Sequence, residues 1–265
     1  GICQVRGESG RSRTESEPNN GTLCGVDVVL IAIEGIDASG KQTQTQLLVE
    51  RAQAEGLVAR CISFPRYGAT RFGQMIRAYL RGELGKIKDI SPRLVATLYA
   101  GDRFESLEEM NRLMVGADLI VCDRYVASNL AYQAAKVDSP QRREMFEWID
   151  ALEHTVYALP RPYMNIFLDV PLSTATYLMV ERRRCESNAK PVDLHEESIA
   201  YLAECRAAYL ELIDWDNAGD WRSVGCTDAS GIMLDRGQIT NEIWKHVEDA
   251  LGARVRESGV LWGRV

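Results

Sequence analysis

The chain has 265 residues, of which 46% are hydrophobic and 26% charged, and this balance is typical of a globular domain with a core of ordinary size. The formal net charge of −7 argues against general affinity for nucleic acid or an anionic membrane, so an anionic ligand would require a local cluster of Arg and Lys. The seven cysteines are scattered and never form a CxxC pair, which argues against a disulfide framework or a zinc site and favours a reducing, cytoplasmic compartment.

The first 27 residues are rich in Gly, Ser, Glu, Asn and Arg and contain few large apolar side chains. This composition predicts a disordered tail over residues 1–27 that resembles neither a secretory signal nor a transit peptide. No later run approaches the roughly 20 apolar residues that cross a bilayer, so no membrane partner is expected. We expect one folded domain over residues 28–252 and a C-terminal tail over residues 253–265.

Short apolar runs alternate with helical periodicity along the rest of the chain. The apolar runs predict strands over residues 28–34, 57–64, 117–123, 163–170 and 221–226. The helical patterns cover residues 41–55, 71–84, 91–114, 126–136, 141–157, 172–184, 197–213 and 236–251, with Ser91 and Pro92 as a plausible helix start. This alternation predicts an α/β fold with a five-stranded parallel sheet flanked by helices. Ligands of such folds bind at the carboxyl ends of the strands, here just after residues 34, 64, 123 and 170.

A glycine-rich stretch, "EGIDASGKQT", follows the first strand and opens the first helix. Its GxxxxGK spacing is that of a phosphate-binding loop, in which backbone N–H groups and a lysine hold phosphate oxygens. The alternative is an accidental glycine-rich turn, but the strand–loop–helix context favours phosphate binding and a P-loop, three-layer fold. The candidate phosphate-binding residues are Gly35, Ile36, Asp37, Ala38, Ser39, Gly40, Lys41, Gln42 and Thr43.

Further polar residues follow the second and third predicted strands. The turn "FPRYG" (64–68) presents Arg66 and Tyr67, although a solvated loop arginine is an equal alternative. Asp123 and Arg124 end a buried strand, where charges are costly unless they are paired or bind a ligand.

A third group of candidates lies on predicted helices. Tyr99 and Arg103 share one helical face and could stack on a base and bind its edge, or simply pack. The basic run "ERRRCESNAK" (181–190) predicts either a mobile lid over transferring phosphate or a solvated helix end.

Taken together, these motifs resemble those of thymidylate kinases, which transfer the terminal phosphate of ATP to dTMP. The resemblance covers roughly residues 28–252 and rests on "EGIDASGK", "FPRYG", "LYAGDR", "DRYVASN.AY", the basic run and "DLHEE". "FPRYG" with "DRYVASNLAY" is most similar to the actinobacterial type. The resemblance implies ATP as co-substrate, Mg²⁺ as cofactor and a homodimer.

The resemblance also implies roles for single residues. Lys41 and the loop backbone would hold the ATP phosphates, Asp37 would stand between donor and acceptor, and Arg124 would bridge to the transferring group. A lid over about residues 182–192 would supply the remaining cationic charge. The candidate catalytic residues are Asp37, Lys41, Arg124, Arg182, Arg183 and Arg184.

On the acceptor side, Tyr99 would stack on thymine and Tyr132 would crowd the 2′ position and so favour deoxyribose. Arg103 and Asn129 would read the edge of the base. The candidate dTMP-binding residues are Asp37, Phe64, Pro65, Arg66, Tyr67, Tyr99, Arg103, Arg124, Ser128, Asn129 and Tyr132.

Gln42 departs from the usual pattern, because a Ser or Thr hydroxyl normally holds Mg²⁺ at this position. Thr43 lies about 100° further round the helix and does not substitute directly. Mg²⁺ favours carboxylate and water, so the metal candidates are Asp37, Asp193 and Glu196.

Two alternatives remain open at this point. A deoxynucleoside kinase would need a carboxylate base beside a 5′-hydroxyl, whereas the acceptor motifs suit a monophosphate. A catalytically inactive nucleotide-binding or regulatory module is favoured by Gln42 and by the tail. It is disfavoured by the joint presence of Asp37, Lys41, Arg124 and the lid arginines.

Overall fold

The computed structural model describes residues 28–186, 196–216 and 219–258. Five parallel strands form one sheet in the order β2-β3-β1-β4-β5. The strands are β1 (Val29–Glu34), β2 (Ala59–Ser63), β3 (Leu119–Asp123), β4 (Met164–Asp169) and β5 (Trp221–Gly225). The predicted α/β fold with a five-stranded parallel sheet is confirmed.

Helices connect and cover the strands. They are α1 (Lys41–Ala54), α2 (Arg71–Leu80), α3 (Pro92–Glu105), α4 (Leu107–Met114), α5 (Val126–Ala134), α6 (Ser139–Asp150), α7 (Leu172–Glu186), α8 (Glu196–Trp215) and α9 (Arg236–Ser258). A 3-10 turn spans Ile87–Asp89, and a π-helical turn spans Ala151–Val156. Helices α1 and α9 pack together, while α5 contacts α3, α6 and α8, so helices lie on both faces of the sheet.

The central strand β1 places the glycine loop in the middle of the sheet edge. All six of its residues are buried, as expected for an apolar strand covered on both faces. Ile33 pairs with Asp123 of β3, and Asp123 in turn pairs with Ser63 of β2. The carboxyl ends of these strands therefore meet, and the loops that follow them lie side by side.

The prediction of a single helix over residues 91–114 is wrong, because the structure has two helices here, α3 and α4, divided at Ser106. The Ser106 hydroxyl donates to the Asp102 carbonyl at 2.7 Å, and its N–H is shared between the carbonyls of Asp102 and Arg103. A serine that bonds back to the preceding turn in this way bends a helix. Ser91 occupies the predicted N-cap position, but its side chain makes no capping hydrogen bond.

The ends of the domain differ from the predicted boundaries. Helix α9 continues to Ser258, beyond the expected end of the domain at residue 252. The expected N-terminal tail and residues 187–192 of the expected lid lie outside the described residues. Within the part of the chain that is described, no helix is both long and apolar enough to span a membrane.

Candidate active site

The glycine loop has the backbone geometry that phosphate binding requires. Gly35 adopts a φ of 145° and Gly40 a φ of 86°, both of which side chains disfavour. A Cβ atom at Gly35 would lie 2.8 Å from the Ser39 hydroxyl and 3.0 Å from the Leu168 carbonyl, so only glycine fits. The loop ends at the first turn of α1, where free N–H groups and the helix dipole favour an anion.

The Lys41 side chain is buried, and its ammonium group lies inside this loop. Its ammonium donates to the Ile36 carbonyl at 2.6 Å and to the Ser39 hydroxyl at 3.2 Å. Burial, with a smaller contribution from Arg124, lowers the pKa of Lys41 to about 7. An anionic ligand would reverse this effect, because a nearby negative charge favours the ammonium form.

Asp37 and Arg124 form an ion pair between the glycine loop and the loop after β3. The Tyr132 hydroxyl donates to the same Asp37 oxygen, Oδ1, at 2.9 Å, and the Arg124 guanidinium lies 5.2 Å from the centre of the Tyr132 ring. Burial opposes ionisation of Asp37, but Arg124 and Lys41 outweigh it and hold the pKa below its ordinary value. Asp37 is therefore a carboxylate whose second oxygen, Oδ2, is left for another ligand.

A cavity of about 940 Å³ opens beside this ion pair. Except for Arg66, every predicted acceptor-side residue lines it: Asp37, Phe64, Pro65, Tyr67, Tyr99, Arg103, Arg124, Ser128, Asn129 and Tyr132. The volume is at the upper end of the roughly 300–1,000 Å³ that small-molecule sites span. These residues come from four separate segments of the sequence, and they share one site.

The "FPRYG" turn forms one wall of the cavity, and its Phe64–Pro65 peptide is cis. The Asp102 carboxylate holds this turn, since it accepts the Arg66 N–H at 2.9 Å and also a hydrogen bond from the Thr70 hydroxyl. Arg66 thus contributes its backbone to the turn, while its side chain is not among the residues that line the cavity.

The inner end of the cavity carries a buried network around Glu153. Arg103 donates to this carboxylate through Nε at 2.7 Å and also through Nη2, and Asn129 Nδ2 donates to it at 2.8 Å. Because Asn129 Nδ2 also donates to the Ala96 carbonyl at 3.0 Å, the orientation of the Asn129 amide is set. Its oxygen, Oδ1, is buried without a partner.

Several residues of the site were missed by the sequence analysis. Glu34, Asp102 and Glu153 are buried carboxylates that hold other site residues, and only Glu34 carries a local sequence signal, a charge at the end of an apolar run. The cavity wall also includes Tyr79, Gln133, Lys136 and Tyr201. Burial lowers the pKa of Lys136 to about 8.

The predicted lid and metal residues are placed only in part. Arg182 and Arg184 are exposed near the end of α7, and Arg184 donates to Glu181 at 2.7 Å. Arg183 and Glu196 are located by their helices alone, and Asp193 lies outside the described residues. Among the described side chains, no group of three or more His, Cys, Asp or Glu residues could hold a metal. Gln42 is exposed on the first turn of α1.

The strand order and the position of the glycine loop define a class of protein. A glycine loop after the central strand of a parallel sheet, with a buried lysine beneath it, is the arrangement of P-loop proteins that handle nucleoside phosphates. The adjacent cavity, with an arginine at its mouth, provides for a second ligand beside the phosphates. Such a pairing of donor and acceptor sites is that of a phosphotransferase.

Comparison with known proteins narrows the class. Residues 33–219 match the family model described as thymidylate kinase. A thymidylate kinase of Mycobacterium tuberculosis is 32% identical over 200 residues, which are 74% of this chain and 91% of the relative. One of Afipia carboxidovorans is 27% identical over 233 residues, which cover 85% of this chain and 93% of the relative.

A solved structure agrees in fold. The thymidylate kinase of Candida albicans superimposes with a TM-score of 0.58 at 24% identity, and the alignment covers 85% of this chain and 93% of that one. The family match, which spans more than half of the chain, carries the assignment. The chain belongs to the thymidylate kinase family, whose members are ATP-dependent nucleoside monophosphate kinases.

Proposed function

We propose that this protein transfers the γ-phosphate of ATP to dTMP, giving dTDP and ADP, in the synthesis of dTTP. The observation that carries the proposal is the unpaired, buried Oδ1 of Asn129 beside Arg103. An acceptor atom next to a guanidinium donor complements the N3–H and O4 edge of thymine. Cytosine would present the opposite pattern, and a mismatched buried polar pair is costly.

The other end of the cavity suits the phosphate of the acceptor. Arg124 lines the cavity and pairs with Asp37 of the glycine loop, which would bind the ATP phosphates. A phosphate monoester has a second pKa near 6, so it is mostly a dianion at neutral pH and needs no general base. Catalysis then consists of in-line positioning and neutralisation of charge by Lys41, Arg124 and the arginines of the lid.

We further propose that Mg²⁺ binds with Asp37 among its ligands. Asp37 is an ionised carboxylate with Oδ2 outside the hydrogen bonds to Arg124 and Tyr132. With Gln42 exposed and without a hydroxyl, the metal would be held by Asp37, Asp193 and Glu196 and by the nucleotide phosphates. A bound ion would neutralise negative charge on the nucleotide phosphates.

Tyr132 supports a preference for deoxyribose. Its hydroxyl donates to Asp37 at 2.9 Å, and its ring forms T-shaped contacts with Tyr201 and Tyr209, each with ring centres 6.3 Å apart. A ring held from three sides cannot move aside for a 2′-hydroxyl without losing these contacts.

We also propose that the protein is a homodimer and that it acts in the cytoplasm. The exposed apolar side chains of Leu94, Phe104 and Val156 come from α3 and the π-helical turn, and these two elements pack against each other. Such a patch is suited to burial against a second copy of the chain.

The proposal is tested by ADP release from ATP and Mg²⁺ with dTMP, dUMP, the ribose analogue of dTMP and thymidine as separate acceptors. We expect turnover with dTMP, rejection of the ribose analogue and loss of activity in Lys41→Ala. Turnover with thymidine alone would indicate a deoxynucleoside kinase. Such a kinase needs a carboxylate base, and the ion pair with Arg124 makes Asp37 a poor one. ATP binding without turnover of any acceptor would indicate an inactive nucleotide-binding module.

A further inference from the structure

Glu34 is a buried carboxylate at the end of the central strand, directly before the glycine loop. It is fully inaccessible to solvent and is not among the residues that line the acceptor cavity. A carboxylate at such a position is costly unless several donors compensate it. Its neighbours in β1 are apolar, so the donors must come from elsewhere in the chain.

Donors from two other elements converge on Glu34. The Tyr125 N–H donates to Oε1 at 2.7 Å, and the Ser128 hydroxyl donates to Oε2 at 2.6 Å. The Tyr209 hydroxyl of α8 donates to Oε2 at 2.9 Å. Glu34 thus joins the glycine-loop strand to the start of α5 and to α8.

Two backbone hydrogen bonds to β1 hold the chain at Arg124. Arg124 adopts a φ of 64°, which is strained for a residue with a side chain. Its own N–H donates to the Ile33 carbonyl at 3.1 Å, and the next N–H along the chain, from Tyr125, donates to Glu34. The last two residues of β1 therefore accept hydrogen bonds from the N–H groups of the strained residue and of the residue that follows it.

A second link runs through side chains. Arg124 Nη1 lies 3.4 Å from the Ser128 hydroxyl oxygen, which accepts this contact while its proton points to Glu34. The Ser128 hydroxyl oxygen also lies 2.9 Å from the Tyr209 hydroxyl oxygen. With its proton turned to Glu34, Ser128 presents a lone pair to the guanidinium.

We propose that Glu34 is a positioning residue that holds the backbone and the guanidinium of Arg124 in place for the phosphate of the acceptor. The role rests on the proposed function, since it acts through Arg124 on that phosphate. Glu34 itself touches neither nucleotide.

Glu34→Gln tests the role with almost no change in shape. The new amide can still accept from Tyr125 through its oxygen, but its nitrogen must donate to Ser128 or Tyr209. Ser128 then accepts from the amide in competition with Arg124. We expect kcat with dTMP to fall on the order of 100-fold, which is the cost of a small misplacement of a catalytic group. The KM for ATP should stay unchanged.

Binding measurements test whether Glu34 acts through Arg124. The ratio of the dissociation constants of thymidine and dTMP, measured by calorimetry, reports how strongly the protein holds the acceptor phosphate. Glu34→Gln should lower this ratio in the wild-type background and leave it unchanged in an Arg124→Gln background. Equal losses in both backgrounds would overturn the proposal, because they would mean that Glu34 acts independently of Arg124.

Milder variants keep the test informative if Glu34→Gln does not fold. Tyr209→Phe removes one donor to Glu34 and should lower the ratio about 2- to 10-fold, the worth of one hydrogen bond. Tyr125→Phe is the matched control, since it removes a buried hydroxyl that donates to the Pro160 carbonyl at 3.0 Å instead. Equal ratios in the two variants would also overturn the proposal. Absence of turnover in the wild type would refute the proposed function, whereas the binding ratios would still decide the role of Glu34.

Discussion

At the scale of single residues, buried carboxylates from distant parts of the chain hold the side chains that face the cavity. Glu153 holds Arg103 from 50 residues away, and Asp102 holds the Arg66 backbone from 36 residues away. The motifs predicted Arg103 and Asn129 as site residues, and the structure brings both into the cavity. The carboxylates that hold them were not predictable, because nothing local in the sequence indicates which distant charge will be their partner.

The Arg103–Glu153 pair gives a prediction for stability. Burial alone would lower the pKa of Arg103, but Glu153 outweighs burial and raises it. Glu153→Gln leaves the guanidinium buried without a counter-charge and should lower the free energy of unfolding by about 3–5 kcal/mol. Urea denaturation measures this loss.

Glu144→Gln is the control for this prediction. Glu144 pairs with Arg93 at 2.5 Å, but both side chains are exposed. The loss of such a pair should cost no more than about 1 kcal/mol. Equal losses in the two variants would contradict the structural role assigned to Glu153.

Lys41 gives a prediction for pH dependence. Burial lowers its pKa to about 7, and only the ammonium form attracts phosphate. ATP affinity should therefore be level at lower pH and weaken as the pH rises above 7, by up to about tenfold per pH unit. Calorimetric titration with ATP between about pH 6 and pH 9 measures the effect.

Lys41→Arg is the control for the pH profile, since a guanidinium stays charged throughout this range. The weakening above pH 7 should disappear in this variant, whatever its absolute affinity. A wild-type dissociation constant that does not change with pH would show that the Lys41 amine is already protonated throughout this range before ATP binds.

At the scale of the elements, close approaches between helices and turns set the walls of the cavity. Gly73 in α2 is an example, because a Cβ atom there would lie 2.2 Å from the Arg66 carbonyl and 2.6 Å from the Thr70 hydroxyl. The helix was predicted from its apolar periodicity, but the sequence does not show which of its residues touches the "FPRYG" turn. This contact depends on how α2 is tilted against the turn.

Gly73→Ala should push α2 away from the "FPRYG" turn. Since the clash is with backbone, the turn must shift, and Tyr67 with it. We expect a higher KM for dTMP, an unchanged KM for ATP and a lower melting temperature. Initial-rate kinetics and thermal unfolding measure these changes.

Gly252→Ala is the matched control on α9, where a Cβ atom would meet nothing within 4 Å. Within an open helix position this change should stabilise by up to about 1 kcal/mol and leave kinetics unaltered. A Gly73→Ala variant that behaves like this control would mean that the turn adapts without cost.

At the scale of the whole molecule, the apolar patch on α3 and the π-helical turn predicts association. Leu94 is 65% exposed, so replacing it should not disturb the core of one chain. We expect the wild type to sediment at about twice the chain mass of 29.7 kDa and Leu94→Glu to sediment as a monomer. Analytical ultracentrifugation distinguishes the two states.

Val115→Glu is the control for association, because Val115 is 69% exposed but follows α4 next to Arg60 of β2. It should leave the mass unchanged. A monomeric wild type, or dissociation by both variants alike, would refute the dimer surface assigned to Leu94.

The sequence by itself determined the class of fold and the family. Its alternating apolar runs specify the parallel sheet, and GxxxxGK after the first strand specifies a phosphate loop, since these signals are local. The structure confirmed the sheet and divided the helix predicted over residues 91–114 at Ser106.

Only the tertiary structure decided which charges face each other. The pairing of Arg124 with Asp37 and the convergence of Tyr125, Ser128 and Tyr209 on Glu34 join residues that are 87 to 175 positions apart. Such contacts depend on strand order and helix packing, which bring distant segments together at one edge of the sheet. Local sequence patterns carry no record of that proximity.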